Sequence, residues 1–202
     1  MALIAAGALS IALASCDSYA VLDQFHKGSP LNLVLEAASV QQGATINLYP
    51  SGGTPPYSFG LLAGDFYYVG TLGSISGQTY TGGNAIGAVV IYLSDASGAT
   101  VDAVVAIMPP TPGSFNVQPS GTNAIQISWS YGNLSLISGF LIQRSTDDVT
   151  FTSVTSQPNS ATSYIDSPLN PNQTYYYRMY AVASTAANTY QSLPTGVLGS
   201  MP

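Results

Sequence analysis

After Pro30 the apolar residues alternate with polar ones in short runs, each closed by a cluster of Gly, Pro, Asn or Ser, and no segment reads as a long amphipathic helix. A period of two places every second side chain on one face of a strand, so this spacing predicts half-buried strands. Short strands separated by turn clusters at near-regular intervals are the pattern of β-sandwiches and barrels. The chain carries 20 Gly, 13 Pro and 14 Tyr, which supplies both the turns and the strand formers that such a fold needs. In the first half the alternation predicts strands over 31–37, 44–49, 57–62, 88–93 and 101–107. The run Pro109-Pro110-Thr111-Pro112 then removes three ladder donors, so pairing cannot cross it, and the expected domain boundary falls at 109–112. Such a linker is semi-rigid and extended, and it predicts two bodies set end to end with a small shared interface, each melting by itself.

Charge narrows the range of functions. Only 6% of the 202 residues are charged, and the formal net charge is −6, against about 25% charged residues in an average soluble domain. Lys27, Arg144 and Arg178 are the whole basic complement. Three bases cannot supply the counterion release that drives nucleic-acid binding, and nucleic acid is excluded as a partner. One Cys and one His likewise exclude a disulfide scaffold, a zinc finger and any multi-histidine metal site. A surface built from Ser, Thr, Asn, Gln and Gly offers little self-repulsion, which suits close packing among neighbours, self-association included.

Residues 2–15 read ALIAAGALSIALAS, an unbroken small-apolar run that ends at Cys16. The run is shorter than the roughly 20 residues a bilayer span needs, and its length suits the apolar region of an export signal. Its last four residues, Leu13-Ala14-Ser15-Cys16, resemble the lipobox of bacterial lipoproteins. That resemblance implies a signal peptide over 1–15, cleavage after Ser15, and acylation of Cys16 as the mature N-terminus. Several acyl chains give stable anchoring where one is marginal. The implied location is the bacterial cell envelope, on the outer or the inner membrane. Residues 16–30 hold Asp23, His26 and Lys27 without a sustained period and read as a tether. Its last fourteen residues, fully extended, reach about 45 Å.

Residues 31–108 contain GGTPPYSF at 52–59 and YLSDASGATVDAVVAI at 92–107. Both segments resemble bacterial immunoglobulin-like repeats, in which a Gly-Gly-x-Pro-Pro-Tyr turn enters a strand and an Asp-x-x-Gly hairpin joins the last two. Two prolines hold the chain extended there, Tyr57 and Phe59 share a face, and Tyr57 is the expected core residue. Gln78-Thr79-Tyr80-Thr81 is a further echo of the same repeats. Residues 113–202 resemble fibronectin type III domains. AIQISWS at 124–130 turns Ile125, Ile127 and Trp129 inward, GFLIQRSTD at 139–147 follows, and LNPNQTYYYRMYAV at 169–182 contains a Leu-x-Pro turn with Tyr175 six positions after the Leu. The resemblance implies that Trp129 is the core tryptophan and Tyr175 the tyrosine corner, its hydroxyl bonded to backbone. The expected fold is therefore all-β, two tandem immunoglobulin-like sandwiches after a lipoprotein signal. No Arg-Gly-Asp tripeptide occurs, so integrin-type adhesion does not follow.

The search for chemistry returns little. His26 lies in the tether, away from any nucleophile a domain could hold. Asp147 and Asp148 are adjacent and would point to opposite faces of a strand, so they read as a solvated turn rather than a paired acid and base. Asp65, Asp95 and Asp102 contain no Asp-x-Asp pair for calcium. No cofactor or metal is expected, and the chain reads as a non-enzyme. Tyr67, Tyr68, Tyr176 and Tyr180 are the candidates to stack on sugar rings. Two functions remain open: a lipid-anchored envelope spacer or protein-interaction protein, and a carbohydrate-binding module holding polysaccharide. Whether the four tyrosines share one exposed face separates them.

Overall fold

A computed structural model describes residues 29–202; the proposed cleavage site at Ser15, the lipidation site at Cys16 and the tether residue His26 lie outside the described residues. Alternation over short runs is realised as sixteen strands, with a single 3-10 turn at Leu134–Leu136 and no α-helix among the described residues. No helix there is long and apolar enough to cross a membrane.

The first eight strands form two four-stranded sheets. One has the order β1-β3-β6-β5, from Asn32–Leu35, Thr45–Ser51, Thr79–Gly82 and Gly73–Ser76. The other has the order β2-β8-β7-β4, from Ser39–Gln41, Thr100–Met108, Ile86–Ser94 and Ser58–Tyr68. All pairings are antiparallel except that of β2 with β8. Leu48, Tyr80, Val89, Ile91 and Leu93 are fully enclosed between the sheets. Burial pushes the Tyr80 hydroxyl up to about 12.

The predicted strand over 57–62 continues to Tyr68, with register shifts between Ala63 and Tyr68. Such bulges bend a strand and re-aim its side chains. Three short strands, β2, β5 and β6, were beyond the reach of the alternation because three or four residues show too little period. Tyr57 packs against the first core from its edge rather than within it. It is half-buried at the rim, where its hydroxyl donates to the Gly52 carbonyl, and that bond keeps the ring beside the turn. The Pro55-Pro56 peptide in that turn is cis.

The second sandwich packs the sheet β13-β10-β9 (Ser163–Asp166, Ile125–Ser130, Gly113–Pro119) against a sheet with the order β12-β11-β14-β15. These last strands are Thr152–Pro158, Gly139–Ser145, Tyr175–Ser184 and Thr189–Gln191, and β16 (Leu198–Ser200) pairs with the first half of β14. Trp129 is 5% exposed and meets Phe140 edge-on, with ring centres 5.3 Å apart. Tyr175 is buried and its hydroxyl accepts from the Asn170 N–H at 3.0 Å.

A few apolar side chains cross the boundary between the sandwiches. Ile86, on β7 of the first sandwich, is fully buried within the core cluster of the second, and Tyr67, Tyr68, Ala106 and Met108 pack against that cluster. The proline run does keep the chain out of strand, but β4 and β8 end, and β7 begins, with apolar side chains packed in or against the second core.

Candidate functional site

A catalytic function would rest on the carboxylates. Asp95 sits where the β7–β8 hairpin meets the Gly-Gly-x-Pro-Pro-Tyr turn. Its Oδ1 accepts from the Ser97 and Ala99 N–H groups and the Ser97 hydroxyl, and its Oδ2 accepts from the Thr54 N–H at 2.7 Å. These bonds, led by Ser97, hold its carboxyl below the ordinary value. Asp147 is a turn residue, as its neighbours predict: Oδ1 accepts from the Ser145 hydroxyl and from the Val149 and Thr150 N–H groups. Asp166 is buried and accepts from Arg144 Nη1 and from the Tyr177 hydroxyl, both at 2.8 Å. Burial, followed by that bond to Asp166, pushes the Tyr177 hydroxyl far up. Each of these groups is occupied in holding backbone or buried partners, and among the described residues no three of His, Cys, Asp and Glu converge on a point that could hold a metal.

Asp65 is different because its partners lie on the other sandwich. It occupies the bulged part of β4, and its Oδ2 accepts from Thr185 Oγ1 at 2.5 Å and Asn188 Nδ2 at 2.9 Å. The Tyr190 hydroxyl donates to the Asp65 carbonyl at 3.0 Å. Thr185 and Asn188 lie in the β14–β15 turn, so one carboxylate ties the first sandwich to a hairpin of the second. The bonds from Thr185 and then Asn188 hold its carboxyl below the ordinary value. Sequence reasoning weighed Asp65 only as a calcium ligand. Its partners are more than a hundred residues away and carry no local signal.

The four candidate tyrosines do not share a face. Tyr67 and Tyr68 are taken up at the junction, half-buried against the second core, and they are not available as an outward stacking surface. The reason is the bulge in β4, which turns consecutive side chains toward the neighbouring sandwich. Tyr176 and Tyr180 lie with Arg178 on the outer face of β14, alternating with the buried Tyr175, Tyr177 and Met179. Arg178 was not among the sequence candidates. Its guanidinium lies 4.2 Å from the Phe151 ring centre and 5.6 Å from that of Tyr180, and its Nε donates to Gln143 Oε1 at 2.8 Å.

Tyr180 also lines a groove of about 550 Å³, which opens where the two sandwiches meet. Val40, Ile46 and Met108 contribute from the first sandwich, and Gln191, Leu193 and Pro194 from the second. Thr111 of the linker closes the corner, its hydroxyl donating to the Leu193 carbonyl at 3.2 Å.

No family model matches the sequence, and no curated protein matches it. Among solved structures, one titled as a cytokine receptor complex, crystal form 1A, aligns at 18% identity over 84% of this chain and 96% of that chain, with a TM-score of 0.53. A second crystal form with the same title aligns at 18% identity over 82% of this chain and 100% of that chain, at 0.48. A titin fragment aligns at 14% identity over 86% of this chain and 66% of that chain, at 0.39. Similarity at this identity speaks for fold alone. The protein is all-β, built of two tandem immunoglobulin-like sandwiches.

Proposed function

We propose that this chain is a non-enzymatic, lipid-anchored protein of the bacterial cell envelope, exported and held at the outer or inner membrane through Cys16, whose two sandwiches serve as a spacer and as protein-interaction modules. The observation that carries the spacer role is the junction. Asp65 binds the β14–β15 turn while Ile86 sits within the second core, contacts that favour a fixed angle between the two bodies. The anchor is supported by Leu13-Ala14-Ser15-Cys16 at the end of the apolar run and by the absence of any second cysteine. The non-enzymatic part is supported by the carboxylates, four of which are engaged in holding turns, the junction or a buried arginine. Mass spectrometry of the mature N-terminus from a native bacterial host tests the anchor. The expected species begins at Cys16 with its acyl chains, and Cys16→Ala abolishes it. An unmodified cysteine or retained residues 2–15 would refute the reading.

One observation favours a second, carbohydrate-binding role. Tyr180 places an aromatic ring in the wall of an open groove whose remaining lining mixes apolar and amide side chains, as sites for hydroxylated rings do.

A further inference from the structure

Two cations are described in the whole structure, and they differ in how they are used. Arg144 is spent on Asp166, with Nη1 at 2.8 Å from the carboxylate. Arg178 has no carboxylate partner among the described residues, and its only hydrogen bond there is from Nε to Gln143. That bond, with the stacking on Phe151 and the contact with Tyr180, fixes the plane of the guanidinium. The conformational entropy that a free arginine would lose on binding is therefore largely lost already. The two terminal amines, which form the fork that matches a carboxylate bidentately, are left without an acceptor among the described residues.

We propose that the outer face of β14, from Arg178 through Tyr180 into the junction groove, is a binding site for an acidic saccharide, with Arg178 taking the carboxylate of a uronic acid residue and Tyr180 stacking on a sugar ring. The inference rests on the carbohydrate-binding reading and adds the class of ligand. Charge selects that class. Residues 31–108 hold four carboxylates and no base, which leaves Arg178 as the one described cation without a carboxylate partner. A single guanidinium balances a single carboxylate, whereas clustered phosphates or sulfates call for several cations. The groove beyond Tyr180 offers Gln41 and Gln191 to hydroxyls and Ile46, Met108 and Leu193 to the apolar faces of a ring. Recognition of a charged group at one end and a hydroxylated ring at the other fits a uronate-containing chain better than a neutral glycan.

Isothermal titration of the full chain in mild detergent tests the site with tetragalacturonate, its methyl ester, a neutral tetragalactoside and tetraglutamate as probes. The expected result is binding of tetragalacturonate at least tenfold tighter than of its methyl ester or the neutral sugar. Arg178→Gln and Tyr180→Ala each lower that affinity at least tenfold. Leu193→Asp serves as a control on folding, because Leu193 is 60% exposed and an added carboxylate at the groove wall repels the ligand without disturbing the core; it should weaken binding at least fivefold. Equal affinity for the acid, the ester and the neutral sugar would overturn the acidic class and leave a carbohydrate role standing. Absence of binding to every sugar would overturn both. Tighter binding of tetraglutamate, or affinity unchanged by both Arg178→Gln and Leu193→Asp, would assign the face to a protein partner and overturn the proposal.

Discussion

Trp129 offers the sharpest test of the second core. The indole is 5% exposed, meets Phe140 at 5.3 Å with planes at 64°, and Phe140 in turn meets Tyr131 edge-on at 5.7 Å. Trp129→Ala removes the ring from an enclosed site and leaves a cavity, at a cost of about 3–5 kcal/mol. About 0.5–1.5 kcal/mol of that belongs to the edge-on contact. Against a total stability on the order of 5–15 kcal/mol this is a large fraction. At a urea dependence of about 2 kcal/mol per molar, the midpoint moves down by about 1.5–2.5 M. Trp129→Phe behaves differently, because the indole Nε1 is buried with no hydrogen-bond partner among the described residues. An unmet buried donor costs about 1–3 kcal/mol, and its removal offsets most of the lost ring area, so this variant stays within about 1 kcal/mol of the parent. Circular dichroism in urea is the assay, since the variants remove the only tryptophan and with it the fluorescent probe. A cost below about 1 kcal/mol for Trp129→Ala, or equal costs for the two variants, would show that the packing and the orphaned donor have been misread.

Two further outcomes test the junction and the buried ion pair. The Asp65 carboxyl lies below its unfolded value of 3.8, so its contribution is complete above that pH and is lost as pH falls through the lower, folded value. Calorimetry should therefore show one transition at pH 7 that separates into two under stronger acid, and Asp65→Ala should show two transitions already at pH 7; a single transition in the variant would mean that apolar contacts alone couple the sandwiches. Tyr177→Phe removes a hydroxyl that donates to the buried Asp166 carboxylate and should cost about 1.5–3 kcal/mol in a urea melt; a loss under about 0.5 kcal/mol would mean that Arg144 satisfies the carboxylate by itself.

The all-β class, the turn at Asp95, the inward set Ile125, Ile127 and Trp129, and the corner at Tyr175 were legible in the sequence because each depends on residues a few positions apart. Alternation gives a strand its two faces, and Asp95 Oδ1 and Asp147 Oδ1 bond to backbone within four residues of themselves. The tertiary structure alone decided what the outward and bulged residues meet. Tyr67 and Tyr68 look like exposed aromatics in the chain and become junction packing, because the bulge in β4 aims them at a neighbouring sandwich. Asp65 finds Thr185 and Asn188 across 120 and 123 positions, and Arg178 is held by Gln143 across 35, pairings set by strand register and by the docking of one body on another. Local pattern reports period and turn chemistry, while the partner of a side chain depends on which distant elements share its surface. That is why the core was readable from the amino-acid order, and the junction and the groove beside it were not.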